Sequence, residues 1–371
     1  MVIVKATREA ILKPLQTVAG IVERRHTLPI LANVLLKKKG SDLSLVATDV
    51  EIQIETTAQI GVGNDDVETT ISARKLIDIL RALPDLGDNE VSLSLSNKKA
   101  TLAAGKSRFS LQTLAADDFP AVTPSTNWGA SLKVEQKTLK HLFHMVHFAM
   151  AQQDIRYYLN GLLLITDGDV VRVVATDGHR LALCETKVEG ASLSRQDVII
   201  PRKTVLELQR LLADNDEPVS IDIASNQIRF EFGEVRMLSK LVEGKFPDYQ
   251  RVVPTGYTNQ LEIDRSSLAG SLTRASILTS EKFKGIRMSL ADSGVRIQIT
   301  NSEQEEANEE LDANYYGEPI EIGFNVTYLQ DVLSNLKTDK VLIGFGDSNS
   351  SALLTVKDEP GFSYVVMPMR I

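Results

Sequence analysis

The sequence contains one cysteine, Cys184, among its 371 residues. A single cysteine cannot form an internal disulfide, so the chain suits a reducing compartment. No stretch approaches the roughly 18 consecutive apolar residues of a membrane-spanning helix. The first residues lack the basic region and apolar run of a secretory signal. We therefore expect a cytoplasmic protein with no membrane partner.

Motifs for catalysis and cofactor binding are also scarce. Residues 105–107, Gly-Lys-Ser, resemble the end of a phosphate-binding loop, but the glycine needed five residues earlier is absent. No G-x-S-x-G nucleophile elbow occurs, and Cys184 lies in a strand-like run that favours a core position. Thr176, Asp177 and His179 leave a catalytic site as an alternative. The sequence otherwise predicts no cofactor, no metal and no catalytic residue.

What the chain does contain is one plan repeated three times. L-V-A-T-D at 45–49 matches V-V-A-T-D at 173–177, and a fainter copy, I-Q-I-T-N, lies at 297–301. A hairpin is predicted around the second copy. It consists of the apolar run 162–165, a turn containing Gly168 and the β-rich run 170–175. Similar segments at intervals of 128 and 124 residues indicate a threefold internal repeat.

Each copy has one predicted helix before this anchor and one after it. With short alternating strands between them, the helices predict an α+β fold of two helices packed on antiparallel sheets in each repeat. We expect three domains, at residues 1–125, 129–253 and 254–371. The predicted helical segments are 7–22, 72–83, 135–150, 201–212, 264–278 and 325–337.

The predicted helices carry an excess of positive charge. With the first segment extended to Arg25, they contain 15 basic and 7 acidic side chains, a net charge of +8. The whole chain carries −8, so the remainder carries −16. This segregation suggests a basic surface that meets a polyanion through phosphate contacts, without reading bases.

Three histidines lie opposite the apolar stripe of the segment 135–150. His141, His144 and His147 are spaced by three residues, which places them on one helical face. We expect a hydrated face here. Metal ligation is the alternative, and it lacks carboxylate partners in the sequence nearby. A hydrolase or nuclease that uses this histidine-rich helix is a rival function of another class.

Motifs of three to eleven residues are distributed along the whole chain. They are K-P-L-Q at 13–16, T-L-P-I-L at 27–31, A-T-D at 47–49, R-F-S-L at 108–111, D-F-P at 118–120, R-Y-Y-L-N-G at 156–161, A-T-D-G-H-R-L-A at 175–182, S-K-L-V-E-G-K-F-P-D-Y at 239–249, E-K-F-K-G-I-R at 281–287, G-F-N-V at 323–326 and V-V-M-P-M-R at 365–370. Together they resemble one family from end to end, the β sliding clamps of bacterial DNA polymerase III. Two departures from the familiar pattern are Ala151, where histidine is frequent, and the terminal Ile371, where leucine is usual.

The resemblance implies the DNA clamp fold, closed as a head-to-tail homodimeric ring around duplex DNA. Such a ring tethers the replicative polymerase and confers processivity without catalysis. The implied partners are double-stranded DNA and primer–template junctions, a second copy of the chain, the DNA polymerase III catalytic subunit, the clamp loader, and other polymerases and repair proteins that carry clamp-binding peptides. A peptide-binding scaffold without a DNA role remains the alternative function.

The resemblance also implies three sets of site residues. For Tyr158, core packing is an equally weighted alternative. The positions that match DNA contacts are Arg25, Arg74, Gln153, Tyr157 and Tyr158. Those that match a groove for partner peptides are Leu159, Thr176, Gly178, His179, Arg180, Leu181, Pro247, Val252, Asn325, Tyr328, Ser351, Val365, Met367, Pro368, Met369 and Arg370, with Arg180 and Arg370 as its polar rim. Those that match the dimer contact are Phe109, Ile277 and Leu278 as its apolar part, and Lys75, Lys106 and Arg108 facing Glu303, Glu306 and Glu309.

Overall fold

The computed structural model describes residues 1–22, 28–84, 90–188, 193–280, 283–292 and 294–370. Within these ranges each predicted helical segment contains one α-helix. The predicted segments are longer because they include capping residues and short 3-10 turns at 147–149 and 276–278. The helices are α1 Arg8–Ala19, α2 Ala73–Ala82, α3 Gln136–Val146, α4 Arg202–Leu211, α5 Arg265–Ala275 and α6 Val326–Asn335.

Side-chain caps fix where three of these helices begin. Thr7 Oγ1 accepts from the backbone N–H of Ala10 at 3.3 Å, and Asp264 Oδ1 accepts from that of Ser267 at 2.7 Å. Asn325 Oδ1 accepts from the backbone N–H of Thr327 at 3.0 Å. Each bond satisfies a backbone donor that has no partner in the first helical turn.

The strands of the described ranges are three to nine residues long. The predicted hairpin is confirmed: the strand Gly161–Gly168 pairs with the strand Val170–Thr176 in antiparallel register, and Gly168 has φ of +59°. The strands are β1 Val2–Ala6, β2 Asn33–Lys39, β3 Asp42–Thr48, β4 Ile52–Gln59, β5 Val67–Ser72, β6 Val91–Ser96, β7 Lys99–Ala104, β8 Ser107–Leu114, β9 Ala130–Glu135, β10 Gly161–Gly168, β11 Val170–Thr176, β12 Arg180–Lys187, β13 Leu193–Pro201, β14 Pro218–Ile223, β15 Gln227–Phe232, β16 Val235–Lys240, β17 Asn259–Asp264, β18 Gly285–Ala291, β19 Gly294–Thr300, β20 Glu306–Leu311, β21 Asn314–Tyr316, β22 Ile320–Asn325, β23 Lys340–Phe345, β24 Ala352–Thr355 and β25 Phe362–Val366.

One compact unit consists of residues 1–137 and 206–241. Its sheet has the antiparallel order β1-β6-β7-β8-β5-β2-β3-β4-β16-β15-β14-β9. Helix α1 packs against α2 and against β3 and β4, and it buries Ile11, Leu15 and Val18 there. The apolar face of the predicted amphipathic helix is therefore the face that covers the sheet.

The other unit consists of residues 138–205 and 242–371. It has a sheet of order β13-β10-β11-β12-β25-β24-β23-β17-β21 and a four-stranded sheet of order β20-β19-β18-β22. Helix α5 packs against α6 and against β19 and β20. Strands of the predicted central domain occur in both units, and the domain boundaries at 125–129 and 253–254 remain predictions.

The repeated A-T-D anchor forms a repeated turn. The Thr48 hydroxyl donates to the carbonyl four residues on at 2.8 Å, and that of Thr176 does the same at 2.6 Å. Asp49 and Asp177 each accept from the backbone N–H groups two and three residues on. In the third copy, Asn301 accepts from the backbone N–H groups of Glu303 and Glu305. These residue types recur because their side chains close the turn.

Two expectations about single features concern the core and the membrane. Cys184 is buried in β12, as predicted, and burial raises the pKa of its thiol to about 12. Among the described residues, no helix combines the length and the apolar character needed to cross a membrane.

Candidate functional site

The pairing of β12 with β25 brings the turn 176–180 next to the C-terminal tail. Leu181 is opposite Val365 in the register of these two strands. Beyond the strand, the backbone N–H of Met367 donates to the carbonyl of His179 at 2.9 Å. Side chains that are far apart in sequence therefore line one surface depression.

This depression is a cavity of about 200 Å³ above a buried apolar cluster that includes Leu163, Val174 and Phe246. Ten of the sixteen predicted groove residues line it. They are Leu159, Thr176, Gly178, His179, Arg180, Leu181, Pro247, Val252, Val365 and Met367. We call this cavity the groove.

Arg156, Tyr158 and Tyr249 also line the groove and are absent from the predicted set. Tyr249 ends the F-P-D-Y motif, and Arg156 opens R-Y-Y-L-N-G, so the sequence contains a signal for both. For Tyr158 the sequence predicts a DNA contact, with core packing as the alternative. In the structure it is half-buried and packs against the cluster below the groove.

Arg156 and Gly178 fit each other closely in the groove wall. Gly178 has φ of +90°, and a Cβ there would lie 2.9 Å from Arg156 Nη1. Arg156 donates from Nη2 to the carbonyl of Asp177 at 3.1 Å and forms an ion pair with Asp154 at 2.8 Å. Hydrogen bonds from Arg156 lower the pKa of Asp154 to about 2. The positive φ favours glycine here, and a Cβ would also force the Arg156 guanidinium to move.

Arg180, predicted as part of the polar rim, lines the groove with a largely buried side chain. Its side chain is only 9% exposed. Nη1 donates to Asp331 Oδ2 at 2.6 Å, and Nη2 donates to the carbonyl of Phe148 at 2.7 Å. The guanidinium also lies 4.6 Å from the ring centroid of Tyr328. Arg180 therefore holds the groove wall against α6 and the segment after α3.

The other predicted groove residues lie outside this cavity. Pro368, Met369 and Arg370 line a separate polar cavity of about 350 Å³ together with Arg287 and Glu321.

Three further members of the predicted set have contacts within the fold. The Tyr328 ring stacks on His179 with centroids 6.3 Å apart, and the Ser351 carbonyl accepts from the Tyr257 hydroxyl. Asn325 is the N-cap of α6.

The predicted DNA contacts differ in their surroundings. Arg74 on α2 is 61% exposed and lies 3.6 Å from Asp78, an exposed pair of little energetic value. Tyr157 is 58% exposed, and Gln153 is exposed with φ of +56°. Arg25 lies outside the described residues, as do Arg24 and Ile371.

Part of the helical positive charge is used inside the fold, which corrects the expectation that it lies on solvent faces. Arg265, at the start of α5, donates to the carbonyls of Leu333 and Thr338 at the end of α6. Arg8 at the start of α1 likewise donates to the carbonyl of Leu83 after α2, at 3.1 Å. These arginines satisfy carbonyls that the partner helix leaves free at its C-terminus.

Two of the three helix histidines are not on a hydrated face. His144 Nε2 lies 3.1 Å from the carbonyl of Asn335, and the His144 and His147 rings stack with centroids 5.8 Å apart. Burial lowers the pKa of both imidazoles. His141 is exposed beside Glu359 at 3.3 Å. The described residues contain no cluster of three His, Cys, Asp or Glu side chains placed to hold a metal ion.

Four of the predicted dimer residues, Arg108, Phe109, Glu306 and Glu309, lie in two strands with open edges, β8 and β20, whereas Lys75 lies on α2. Residues 107–112 of β8 pair with β7, and only residues 113–114 pair with β5. Strand β20 ends its sheet. Ile277, in the turn after α5, is 77% exposed. Glu309 pairs with Arg274 in its own chain, whereas Glu303 and Glu306 form no ion pair with another described residue.

Family models match the chain along almost its whole length. They describe the N-terminal domain of the DNA polymerase III beta subunit at residues 3–123, its central domain at 133–248 and its C-terminal domain at 250–370. The chain belongs to the DNA polymerase III beta subunit family, the beta sliding clamps.

Individual relatives of this clamp family agree with the assignment. The chain is 48% identical to the beta sliding clamp of Pseudomonas putida over 364 residues, which is 98% of each chain. It is 43% identical to that of Escherichia coli K12, again over 98% of each chain. The crystal structure of the Pseudomonas aeruginosa sliding clamp bound to griselimycin covers 100% of both chains, with a TM-score of 0.94 and 46% identity.

Membership of the clamp family accounts for the threefold repeat. Three copies of two helices on antiparallel sheets constitute the DNA clamp fold, as the sequence predicted. The role of a sliding clamp in replication processivity follows for this chain from the same membership.

Proposed function

We propose that two copies of this chain close head to tail into a ring around duplex DNA and tether a DNA polymerase to its template. The observation that carries this proposal is the match to sliding clamps over the full length of the chain, in fold and in sequence. A closed ring retains DNA by topology, so its contacts with phosphates need only be weak and independent of sequence. Weak contacts allow the ring to slide.

The residues that we assign to DNA contact are Arg25, Arg74, Gln153, Tyr157 and Tyr158. The exposure of Arg74 and Tyr157 supports this assignment. Tyrosine rings stack on bases of any sequence, which suits the single-stranded bases at a primer–template junction. Because Tyr158 is half-buried beside the groove, we assign the larger share of that contact to Tyr157.

We assign the groove to short linear peptides of the DNA polymerase III catalytic subunit, the clamp loader, and other polymerases and repair proteins. An apolar floor with a few polar atoms at its wall suits a peptide that inserts apolar side chains. Met367 contributes a flexible side chain that adapts to different peptides.

We assign dimer formation to the open edges of β8 and β20. Backbone pairing of two unpaired edges buries donors and acceptors that would otherwise face water. Lys106 and Arg108 beside one edge and Glu303 and Glu306 beside the other have opposite charges. A head-to-tail contact must close after two copies, or it would build a filament.

We also propose that the chain has no catalytic activity of its own and works in the cytoplasm. The side chains that suggested catalysis are engaged in a turn: the Thr176 hydroxyl donates to the carbonyl of Arg180, and Asp177 accepts from two backbone N–H groups. A role in DNA replication supports a cytoplasmic location.

We further propose that the chain is divided into three domains, at residues 1–125, 129–253 and 254–371.

The deciding experiment compares retention on nicked circular DNA with retention on the same DNA after linearisation. The clamp is loaded with a compatible bacterial loader and ATP, and unbound protein is removed by gel filtration. We expect retention on the circle and loss from the linear ends, because a ring slides off a free end.

Equal retention on both DNAs would contradict the ring, since it would indicate ordinary affinity. Loss from both DNAs, with peptide binding intact, would favour a peptide-binding scaffold without a DNA role.

A further inference from the structure

The first repeat contains the same backbone frame as the groove. In the groove, the backbone N–H of Met367 donates to the carbonyl of His179 at 2.9 Å, next to the pairing of β12 with β25. In the first repeat, the N–H of Lys240 donates to the carbonyl of Glu51 at the same distance, next to the pairing of β4 with β16. Each bond joins a turn that begins with A-T-D to the end of a neighbouring strand. We call this second arrangement the counterpart.

The apolar layer below the groove is also present in the counterpart. Four buried apolar residues of the first repeat lie 127 or 128 positions before four residues that form or contact the cluster below the groove. The pairs are Ile30 with Tyr158, Leu35 with Leu163, Val46 with Val174, and Phe119 with Phe246. The 3-10 turns 29–32 and 157–159 match too, with Leu28 and Arg156 as their N-cap residues. The backbone frame and the apolar layer thus occur twice in the chain.

The side chain at the centre of the turn differs between the two arrangements. Where the groove has Gly178, the counterpart has Val50, with φ of +70° and 36% exposure. A β-branched residue rarely adopts a positive φ, because its side chain crowds the backbone. Glycine adopts this conformation without strain, as at Gly178. Val50 therefore places a side chain at the mouth of the counterpart at the expense of backbone strain.

An ion pair crosses the counterpart between its two walls. Lys240 Nζ lies 3.0 Å from Glu51 Oε1, so these side chains connect the turn to the end of β16. The groove has Met367 and His179 at these positions, and both line its cavity. Because the ion pair is largely exposed, it adds little stability. It does place two charges where an apolar peptide side chain would enter, and covering charges with apolar groups is unfavourable.

The wall of the counterpart is polar where that of the groove is apolar. Leu181 in the groove is opposite Val365 on β25. In the counterpart, Gln53 is opposite Leu238 on β16. Gln53 Oε1 accepts from the backbone N–H of Val122 at 2.9 Å. This hydrogen bond ties the segment after β8 to β4, and the amide offers no apolar surface to a peptide.

We propose that Val50, Gln53 and the Glu51–Lys240 pair close the counterpart to partner peptides, so that each chain binds one peptide. The inference rests on the proposed function, since it concerns the peptides that we assign to the groove. Selectivity requires features that exclude a ligand as well as features that attract it. Because both repeats share the backbone frame and the apolar layer, the choice between them lies in these four side chains.

The test gives the counterpart the side chains of the groove in the full-length protein, with the substitutions Val50→Gly, Glu51→His, Gln53→Leu and Lys240→Met. A synthetic clamp-binding peptide of the DNA polymerase III catalytic subunit is titrated by calorimetry, and crosslinks of a photoreactive copy are mapped by mass spectrometry. The peptide bound per chain at saturation should roughly double, because a second site of even micromolar affinity fills at high peptide concentration. New crosslinks should appear in residues 28–53 or 235–241.

The control variant is Glu55→His with Arg236→Met, which removes another ion pair between β4 and β16, with 3.9 Å between Arg236 Nη1 and Glu55 Oε2. It should bind one peptide per chain, like the wild type. If the fourfold variant does not fold, Val50→Gly with Lys240→Met gives the same test with fewer changes.

Two peptides per wild-type chain would overturn the inference, as would one peptide per chain in a folded variant with the counterpart opened. In either case the proposed function stands, because the wild type still binds peptide in the groove. A wild type that binds no peptide would refute the assignment of the groove itself, and the inference with it.

Discussion

At the residue scale, Gly178 lies in a turn whose backbone is close to the side chain of Arg156. Its φ of +90° disfavours any residue with a Cβ, and Arg156 Nη1 lies only 2.9 Å from the position that a Cβ would occupy. Gly168 has a similar backbone conformation, φ of +59°, but no neighbouring atom lies within 4 Å of the position that its Cβ would take. Substitutions at both glycines would strain the backbone, but only a substitution at Gly178 would also disturb the groove.

We predict that Gly178→Ala weakens peptide binding, whereas Gly168→Ala does not. Each substitution should cost about 1 kcal/mol of stability through its left-handed backbone. Only Gly178→Ala also displaces Arg156 from the groove wall, and we expect about tenfold lower affinity for a fluorescent clamp-binding peptide. Thermal unfolding and anisotropy titrations measure the two effects. Equal peptide affinity of the two variants would show that Arg156 is not needed in the wall.

For Arg180, the sequence predicted the position of the residue but not the contacts of its side chain. The motif A-T-D-G-H-R-L-A led to Arg180 as a groove residue, and in the structure Arg180 lines the groove; its assignment to peptide binding stays a prediction. Its burial was not predicted, because Asp331 is 151 residues away and the Phe148 carbonyl 32 residues away. No local pattern encodes which distant groups pair with a guanidinium, so the burial of the Arg180 side chain could not be predicted from the sequence.

At the element scale, the six helices could be predicted because their signals are local. Apolar spacing gives each helix its buried face, and Thr7, Asp264 and Asn325 give three of them a capped start. The sheets were predicted only as antiparallel hairpins. The pairing of β12 with β25 depends on residues far apart in sequence, and the groove exists because of that pairing.

The histidines of α3 give this element a pH dependence. Burial lowers the pKa of His144 and His147, with Lys337, Arg202 and His141 adding smaller effects in the same direction and backbone carbonyls opposing them. The unfolded chain then binds protons at a higher pH than the folded chain does. Stability is therefore lost as the pH falls from the ordinary histidine value of 6.5 towards the lowered values.

We predict that the His144→Gln, His147→Gln double variant loses less stability than the wild type between pH 7.5 and pH 5.5. Glutamine is uncharged over this range and keeps a donor for the Asn335 carbonyl. Urea unfolding followed by circular dichroism at the two pH values gives the comparison. An equal shift of the unfolding midpoint in both proteins would assign the pH dependence to other groups.

At the scale of the whole molecule, the three repeats share helices, sheets and a turn but differ at their exposed edges. In the described chain, β8 is paired on only one edge along most of its length, and β20 is the end strand of its sheet. Ile277 is exposed just after the end of α5. In an isolated chain, an open edge and an exposed isoleucine favour association. The proposed dimer would cover both features.

We predict that Ile277→Ala with Leu278→Ala converts the dimer into monomers that remain folded. Ile277 is mostly exposed and Leu278 partly so, so their loss costs the single chain little, while the dimer loses the apolar centre of its contact. Light scattering after gel filtration over a range of protein concentrations measures the mass, and circular dichroism checks the fold. Tyr316→Ala, which removes another exposed apolar side chain of the same repeat, should remain a dimer. A folded dimer in the double variant would place the contact elsewhere, and DNA retention on circles would then have to be explained with a different interface.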